Sequence, residues 1–238
     1  MLERGMRLRA SGLALAAALS TIALGPSADA QPGGCTEDAM IVFDGSGSMA
    51  EMGFNDMDEP RIFSARRAVR QAIPDIAEIR RLGLVVYGPG GSNPCNGIDV
   101  RFAPMANAAP EIVGAVAGLQ PHGETALTDA VQTAADVLQG QGSPGTVVLV
   151  TDGKETCGGT PCLLAAELAA TDVTVHVIGF KVRGEFFSWS DEASTEYRQA
   201  ETVSRCLADR TGGLYVDTES VEELVAAFRK TLQCQLFS

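Results

Sequence analysis

Short apolar runs recur along the chain at 39–43, 83–87, 146–150 and 173–178, the third of them Thr146-Val147-Val148-Leu149-Val150. Runs of this length, rich in β-branched residues and closed by Gly or polar turn formers, read as strands covered on both faces. Residues 98–102 differ. There Ile98, Val100 and Phe102 alternate with Asp99 and Arg101, which predicts a half-exposed edge strand paired antiparallel with its predecessor across the Gly/Pro-rich loop 88–95. Between strands the period changes. Ile62, Ala65, Val69, Ala72 and Ile73 recur at helical spacing behind Pro60, in a helix that Pro74 should end or kink. Further helices are expected at 110–119, 127–138, 163–170, 196–209 and 221–232, the last capped by Ser220, with a final short strand at 212–216. Strands alternating with helices predict an α/β fold. Its sheet should be doubly wound and mostly parallel, with one antiparallel edge strand and helices on both faces.

Two strands end on carboxylates. The run 39–43 leads into Asp44-Gly45-Ser46-Gly47-Ser48, and 146–150 leads into Thr151-Asp152-Gly153. Carboxyl ends of strands are where open α/β sheets bind ligands. Asp44, Ser46 and Ser48, spaced by two with Gly between, let a tight loop turn three oxygen-bearing side chains toward one point. Such a donor set suits a hard cation. The acidic loop 49–59 either borders that point or is simply solvated.

The first thirty residues have a separate character. Arg4, Arg7 and Arg9 precede an apolar stretch from Leu13 to Leu24, followed by Ala28-Asp29-Ala30. This is the pattern of a secretory signal over 1–30, too short to span a bilayer comfortably, with Gln31 as the new N-terminus. Residues 31–238 then form one domain, large enough to bury about 70% of its unfolded surface. No later run is long enough to cross a membrane, so a periplasmic or extracellular location is expected.

The chain has 30 acidic and 18 basic residues; without the signal these become 28 and 15. That balance argues against nucleic acid and anionic membranes as partners and suits the attraction of cations. All six cysteines (Cys35, Cys95, Cys157, Cys162, Cys206 and Cys234) follow the signal, which in an exported chain reads as three disulfides.

Three segments, in order, resemble the loops of the metal-ion-dependent adhesion site of von Willebrand factor A-type domains: Asp44-Gly45-Ser46-Gly47-Ser48, Gly123-Glu124-Thr125-Ala126-Leu127 and Val150-Thr151-Asp152-Gly153. The resemblance extends over 36–232, and segments such as Thr211-Gly212-Gly213-Leu214-Tyr215 are similar to the bacterial exported branch of the family. It implies a metal site of Asp44, Ser46, Ser48, Thr125 and Asp152. The hydroxyls of Ser46 and Ser48 would bind the ion directly, Asp44 and Asp152 mainly through water, and Thr125 in either way. The ion would be Mg²⁺, with Mn²⁺ or Ca²⁺ as alternatives, and its ligand an Asp or Glu of a partner protein. The resemblance further implies that the domain ends lie together, pairing Cys35 with Cys234. Cys157 and Cys162 are close enough in sequence for a local bridge, and elimination then leaves Cys95 with Cys206.

An enzyme is the competing class. A haloacid dehalogenase-type phosphatase needs a second Asp where Ser46 stands, the serine-hydrolase elbow is missing, and no phosphate-cradling Gly-rich loop with Lys occurs. His176, alternating with Val175 and Val177, reads as structural, and His122 as an exposed loop residue. The expected function is therefore cation-dependent protein binding, with no catalytic residue. The alternative is an envelope protein whose ion site only stabilises it.

Overall fold

The computed structural model describes residues 1, 35, 37–52, 59–90, 92–142, 145–180 and 204–234. The expected signal, Asp56 and Asp58 of the acidic loop, and three aromatic residues close together in sequence, Phe186, Phe187 and Trp189, lie outside them, Met1 apart.

Six strands form one sheet: β1 (Asp38–Asp44), β2 (Leu82–Tyr87), β3 (Ile98–Met105), β4 (Gly145–Thr151), β5 (Val173–Phe180) and β6 (Tyr215–Thr218). Their spatial order is β3-β2-β1-β4-β5-β6, with every pair parallel except β2 and β3. This is the expected doubly wound sheet with one antiparallel edge. The chain runs outward from β1 in one direction through β2 and in the other through β4, so the topological switch point lies between β1 and β4.

Alternation along β1 assigns the two cores. Ala39, Ile41 and Phe43 pack with α1 (Arg61–Ala77), α2 (Ala109–Gly118) and α6 (Val221–Leu232) through Ile62, Ile73, Ile112 and Phe228. Met40 and Val42 face the other way, onto α3 (Leu127–Gly140), α4 (Pro161–Leu168) and the helical residues 204–211 (α5), through Leu127, Val131, Leu164 and Leu207. With helices on both faces, β1 and β4 are buried at every position, as their unbroken apolar runs require.

At the end of the sheet opposite Asp44, the buried guanidinium of Arg80 donates to Glu37 O (3.1 Å), Leu232 O (3.2 Å) and Thr146 Oγ1 (2.7 Å). One side chain thus joins the starts of β1 and β4 to the end of α6.

Four expectations need correction. Of the two outcomes expected at Pro74, an end or a kink, the end does not occur: α1 continues to Ala77, with Ile73, Ile76 and Ala77 on its buried face. The last strand begins at Tyr215 rather than 212. Gly212 has φ +75°, and a Cβ on Gly213 would lie 1.9 Å from Val175 O, so both glycines serve a turn pressed against β5.

The remaining two corrections concern disulfides. Cys35–Cys234 forms as expected, but Cys157 bonds Cys95, and Cys162 bonds Cys206. Neither Cys157–Cys162 nor Cys95–Cys206 exists. The loop at 123–125 explains the first new pair: Glu124 N donates to Pro94 O on one side and Thr156 N to Thr125 O on the other, which sets Cys95 beside Cys157. Cys162, at the start of α4, instead faces α5, where Arg210 also donates to its carbonyl.

Candidate cation site

Asp44 is the last residue of β1 and has no solvent exposure. A buried carboxylate must be fully hydrogen-bonded. Its Oδ1 accepts from Ser46 N (2.8 Å) and Ser46 Oγ (2.6 Å), and its Oδ2 from Tyr87 Oη (2.6 Å) and Thr151 Oγ1 (2.9 Å). Parallel register brings these groups together: Tyr87 lies opposite Asp44 on β2, while Thr151 follows the β4 residue paired with Phe43. Burial first, then the charge and hydrogen bond of Asp44, push the Tyr87 phenol well above its ordinary range and keep it a donor.

Ser46 and Ser48 extend the network to β4. Residues Gly47–Ala50 make a single 3₁₀ turn that places Ser48 Oγ 3.0 Å from Ser46 Oγ and 2.7 Å from Asp152 Oδ1. Each hydroxyl has one hydrogen. Ser46 directs its hydrogen to Asp44 and Ser48 directs its own to Asp152, so with both carboxylates ionised the two oxygens meet through lone pairs. This is an acceptor pair that a cation would stabilise.

Asp152 is buried, and its carboxyl is raised above the usual carboxylate range, first by burial and then by the charge of Asp44; Ser48 and Arg61 oppose the shift. Two desolvated carboxylates joined through two hydroxyls fit a hard divalent ion, which would relieve their repulsion. Among the described residues, no group of three or more His, Cys, Asp or Glu is arranged to hold a metal, so the donor set rests on hydroxyls as much as on carboxylates.

Thr125 comes to the same place without joining the hydrogen-bonded chain. An ideal Cβ on Gly153 would lie 3.8 Å from Ser48 Oγ and 3.9 Å from Thr125 Oγ1, so the two hydroxyls border one small space that Gly153 leaves open. Its loop is anchored by Gly47 N donating to Gly123 O (3.0 Å) and Thr125 N to Thr156 Oγ1 (2.8 Å). Gly123 has φ +83° and a Cβ there would meet Gly88 O at 2.2 Å, which requires glycine. Thr128, three residues on, is committed elsewhere: its N and Oγ1 both donate to Glu155 Oε2.

Sequence reasoning overlooked Tyr87, Thr151 and Arg61. Tyr87 ends an apolar run in register with Asp44, so its position in the β1–β2 pair was the available signal. In sequence, Arg61 is one of four arginines, with Arg66, Arg67 and Arg70, on a helix whose apolar positions lie elsewhere, which gives it the look of a solvated residue. It is instead buried, and its Nη1 lies 3.1 Å from Asp152 Oδ2, 3.0 Å from Ser48 O and 3.4 Å from Glu51 Oε2. The available signal was its position: a cation in the first turn of a helix has the wrong sign for the helix dipole.

Residues 39–155 match the family described as von Willebrand factor type A domain. Over 204 residues the chain is 26% identical to the uncharacterized protein YwmD of Bacillus subtilis (strain 168), covering 81% of this chain and 84% of that one. In fold it is similar to an aerotolerance-related membrane protein from Bacteroides fragilis (TM-score 0.59, 18% identity, 82% of this chain and 98% of that one). It is also similar to proximal thread matrix protein 1 from the mussel byssus, a structure with a zinc-occupied MIDAS motif (TM-score 0.55, 18% identity, 84% of this chain and 48% of that one). The match and the sheet topology together support a von Willebrand factor A-type domain in this chain.

Proposed function

We propose that this chain is an exported, divalent-cation-dependent protein-binding domain. Ser46 and Ser48 would hold the ion directly, Thr125 directly or through water, Asp44 and Asp152 would act mainly through water, and a partner's Asp or Glu would complete the coordination. Mg²⁺ is the first choice, because neutral hydroxyls with carboxylates set back leave the ion undercompensated and wet, as Mg²⁺ prefers. The observation that carries this reading is the Ser46–Ser48 contact: two hydroxyl oxygens 3.0 Å apart, each also hydrogen-bonded to one of the two buried carboxylates, Asp44 and Asp152. The zinc-occupied motif of the byssus protein adds support by analogy of fold.

Binding fits the site better than turnover. The His122 ring is engaged by Gly90 N and Gln120 O, and the ring of His176 accepts from Leu214 N, so the hydrogen bonds seen for both imidazoles are to backbone groups and not to Asp44 or Ser46. Export is supported by the three disulfides. No helix among the described residues is long and apolar enough to cross a membrane.

Calorimetry of the purified protein with Mg²⁺, Mn²⁺ and Ca²⁺, repeated on Asp44→Ala and Ser46→Ala, tests the site. Saturable binding lost in both variants is expected; no binding by the parent rejects the reading. Pull-down with and without chelator then tests the partner, and ion binding with no chelator-sensitive partner would favour a purely stabilising ion.

A further inference from the structure

Arg61 is the one cationic side chain seen to hydrogen-bond to the proposed ligand set among the described residues. It is the first residue of α1, with 7% side-chain exposure, against Asp152 at 0%. Neither group can turn to solvent without moving the turn Gly47–Ala50, because Arg61 Nη1 also donates to Ser48 O and Arg61 N to Glu51 O. The two oxygens of Asp152 are thus divided: Oδ1 takes the Ser48 hydroxyl and Oδ2 takes the guanidinium. Glu51, another partner of Nη1 among the described residues, is 70% exposed and screened by water, so this carboxylate offsets little of the charge.

With an ion bound and both carboxylates ionised, Asp44, Asp152 and Arg61 sum to one negative charge. A divalent ion then leaves the site with one net positive charge, which a partner's carboxylate neutralises. Without Arg61 the two carboxylates would neutralise the ion by themselves. Resting on the function proposed above, we infer that Arg61 is a specificity-determining residue: it weakens retention of the ion by the domain alone and preserves its attraction for an acidic ligand, coupling ion binding to ligand binding. The role is electrostatic. Arg61 need not touch the ion, since a fixed charge in a water-poor site acts over several ångströms.

The test uses the purified protein, Mn²⁺ as the ion and acetate as the carboxylate, with chloride at equal ionic strength as control. Arg61→Gln should bind Mn²⁺ on the order of tenfold more tightly than the parent in chloride. Acetate should tighten Mn²⁺ binding by the parent several-fold and have a much smaller effect on Arg61→Gln. Arg61→Lys, which keeps the charge and loses the guanidinium geometry, should remain parent-like in both. Thermal melting in chelator establishes that each variant is folded.

Equal or weaker Mn²⁺ binding by folded Arg61→Gln overturns the inference, as does a Lys variant that behaves like Gln. The acetate dependence of the parent stands apart from any variant's folding, and its absence is equally fatal. Binding lost in Asp44→Ala but unchanged in Arg61→Gln rejects only the role of Arg61; no Mn²⁺ binding by the parent, or binding that survives Asp44→Ala, rejects the ion site itself.

Discussion

The Tyr87 hydroxyl donates to Asp44 Oδ2 at 2.6 Å from the neighbouring strand, so the carboxylate at the centre of the site is held from β2 and β4 as well as by its own loop. Tyr87→Phe keeps the ring and removes that donor. It should cost about 1–2 kcal/mol, since Thr151 and Ser46 still satisfy part of the carboxylate. Urea unfolding in chelator measures this. A freer Asp44 should also weaken Mn²⁺ binding, and a variant with parental stability and affinity would show that Tyr87 only fills space.

The bond between Cys95 and Cys157 fastens the β2–β3 loop to the loop that follows Asp152. Partial reduction, alkylation and peptide mapping should find Cys35–Cys234, Cys95–Cys157 and Cys162–Cys206, with no Cys157–Cys162 bridge. Replacing Cys95 and Cys157 together by Ser should lower stability by about 2–4 kcal/mol, as expected for a cross-link closing a long loop.

This pairing marks where the sequence stopped being informative. Strand and helix types followed from period and punctuation because each depends on neighbouring residues, as the unbroken run ending at Val150 and the alternation of Ile98 to Phe102 did. The five candidate ligands were named from three motif segments. The side chains around them depend on register and loop packing instead. Tyr87 reaches Asp44 only because β1 and β2 pair in one particular register, Arg61 reaches Asp152 across ninety-one positions, and Cys95 meets Cys157 only because the loop at 123–125 lies between their segments.

Gly153 offers a test of the space beside the hydroxyls. Its φ is not in the left-handed region, and an added Cβ would make only ordinary contacts with Ser48 Oγ and Thr125 Oγ1. Gly153→Ala should therefore fold with stability within about 1 kcal/mol of the parent. Mn²⁺ affinity should nevertheless fall, because the methyl group occupies room needed for the ion's water or ligand. Calorimetry beside thermal melting separates the two effects; unchanged affinity would move the ion away from Thr125.

His176 makes stability depend on pH. Its ring is buried on β5, Nδ1 accepts from Leu214 N at 2.8 Å, and burial followed by the charge of Arg80 lowers its pKa to about 4. Between the unfolded value of about 6.5 and about 4, the unfolded chain binds a proton there that the folded protein does not. Stability from this group is complete above about pH 6.5 and is lost as pH falls through the window, with a limiting slope of about 1.4 kcal/mol per pH unit. Partial access of water makes the measured slope shallower. His176→Asn retains an acceptor for Leu214 N and cannot titrate. Urea unfolding of parent and variant in chelator, from pH 7.5 to 4, cancels the carboxylates common to both. The parent should lose stability relative to His176→Asn only below about pH 6.5, and parallel curves across that range would show that the imidazole titrates normally in the fold.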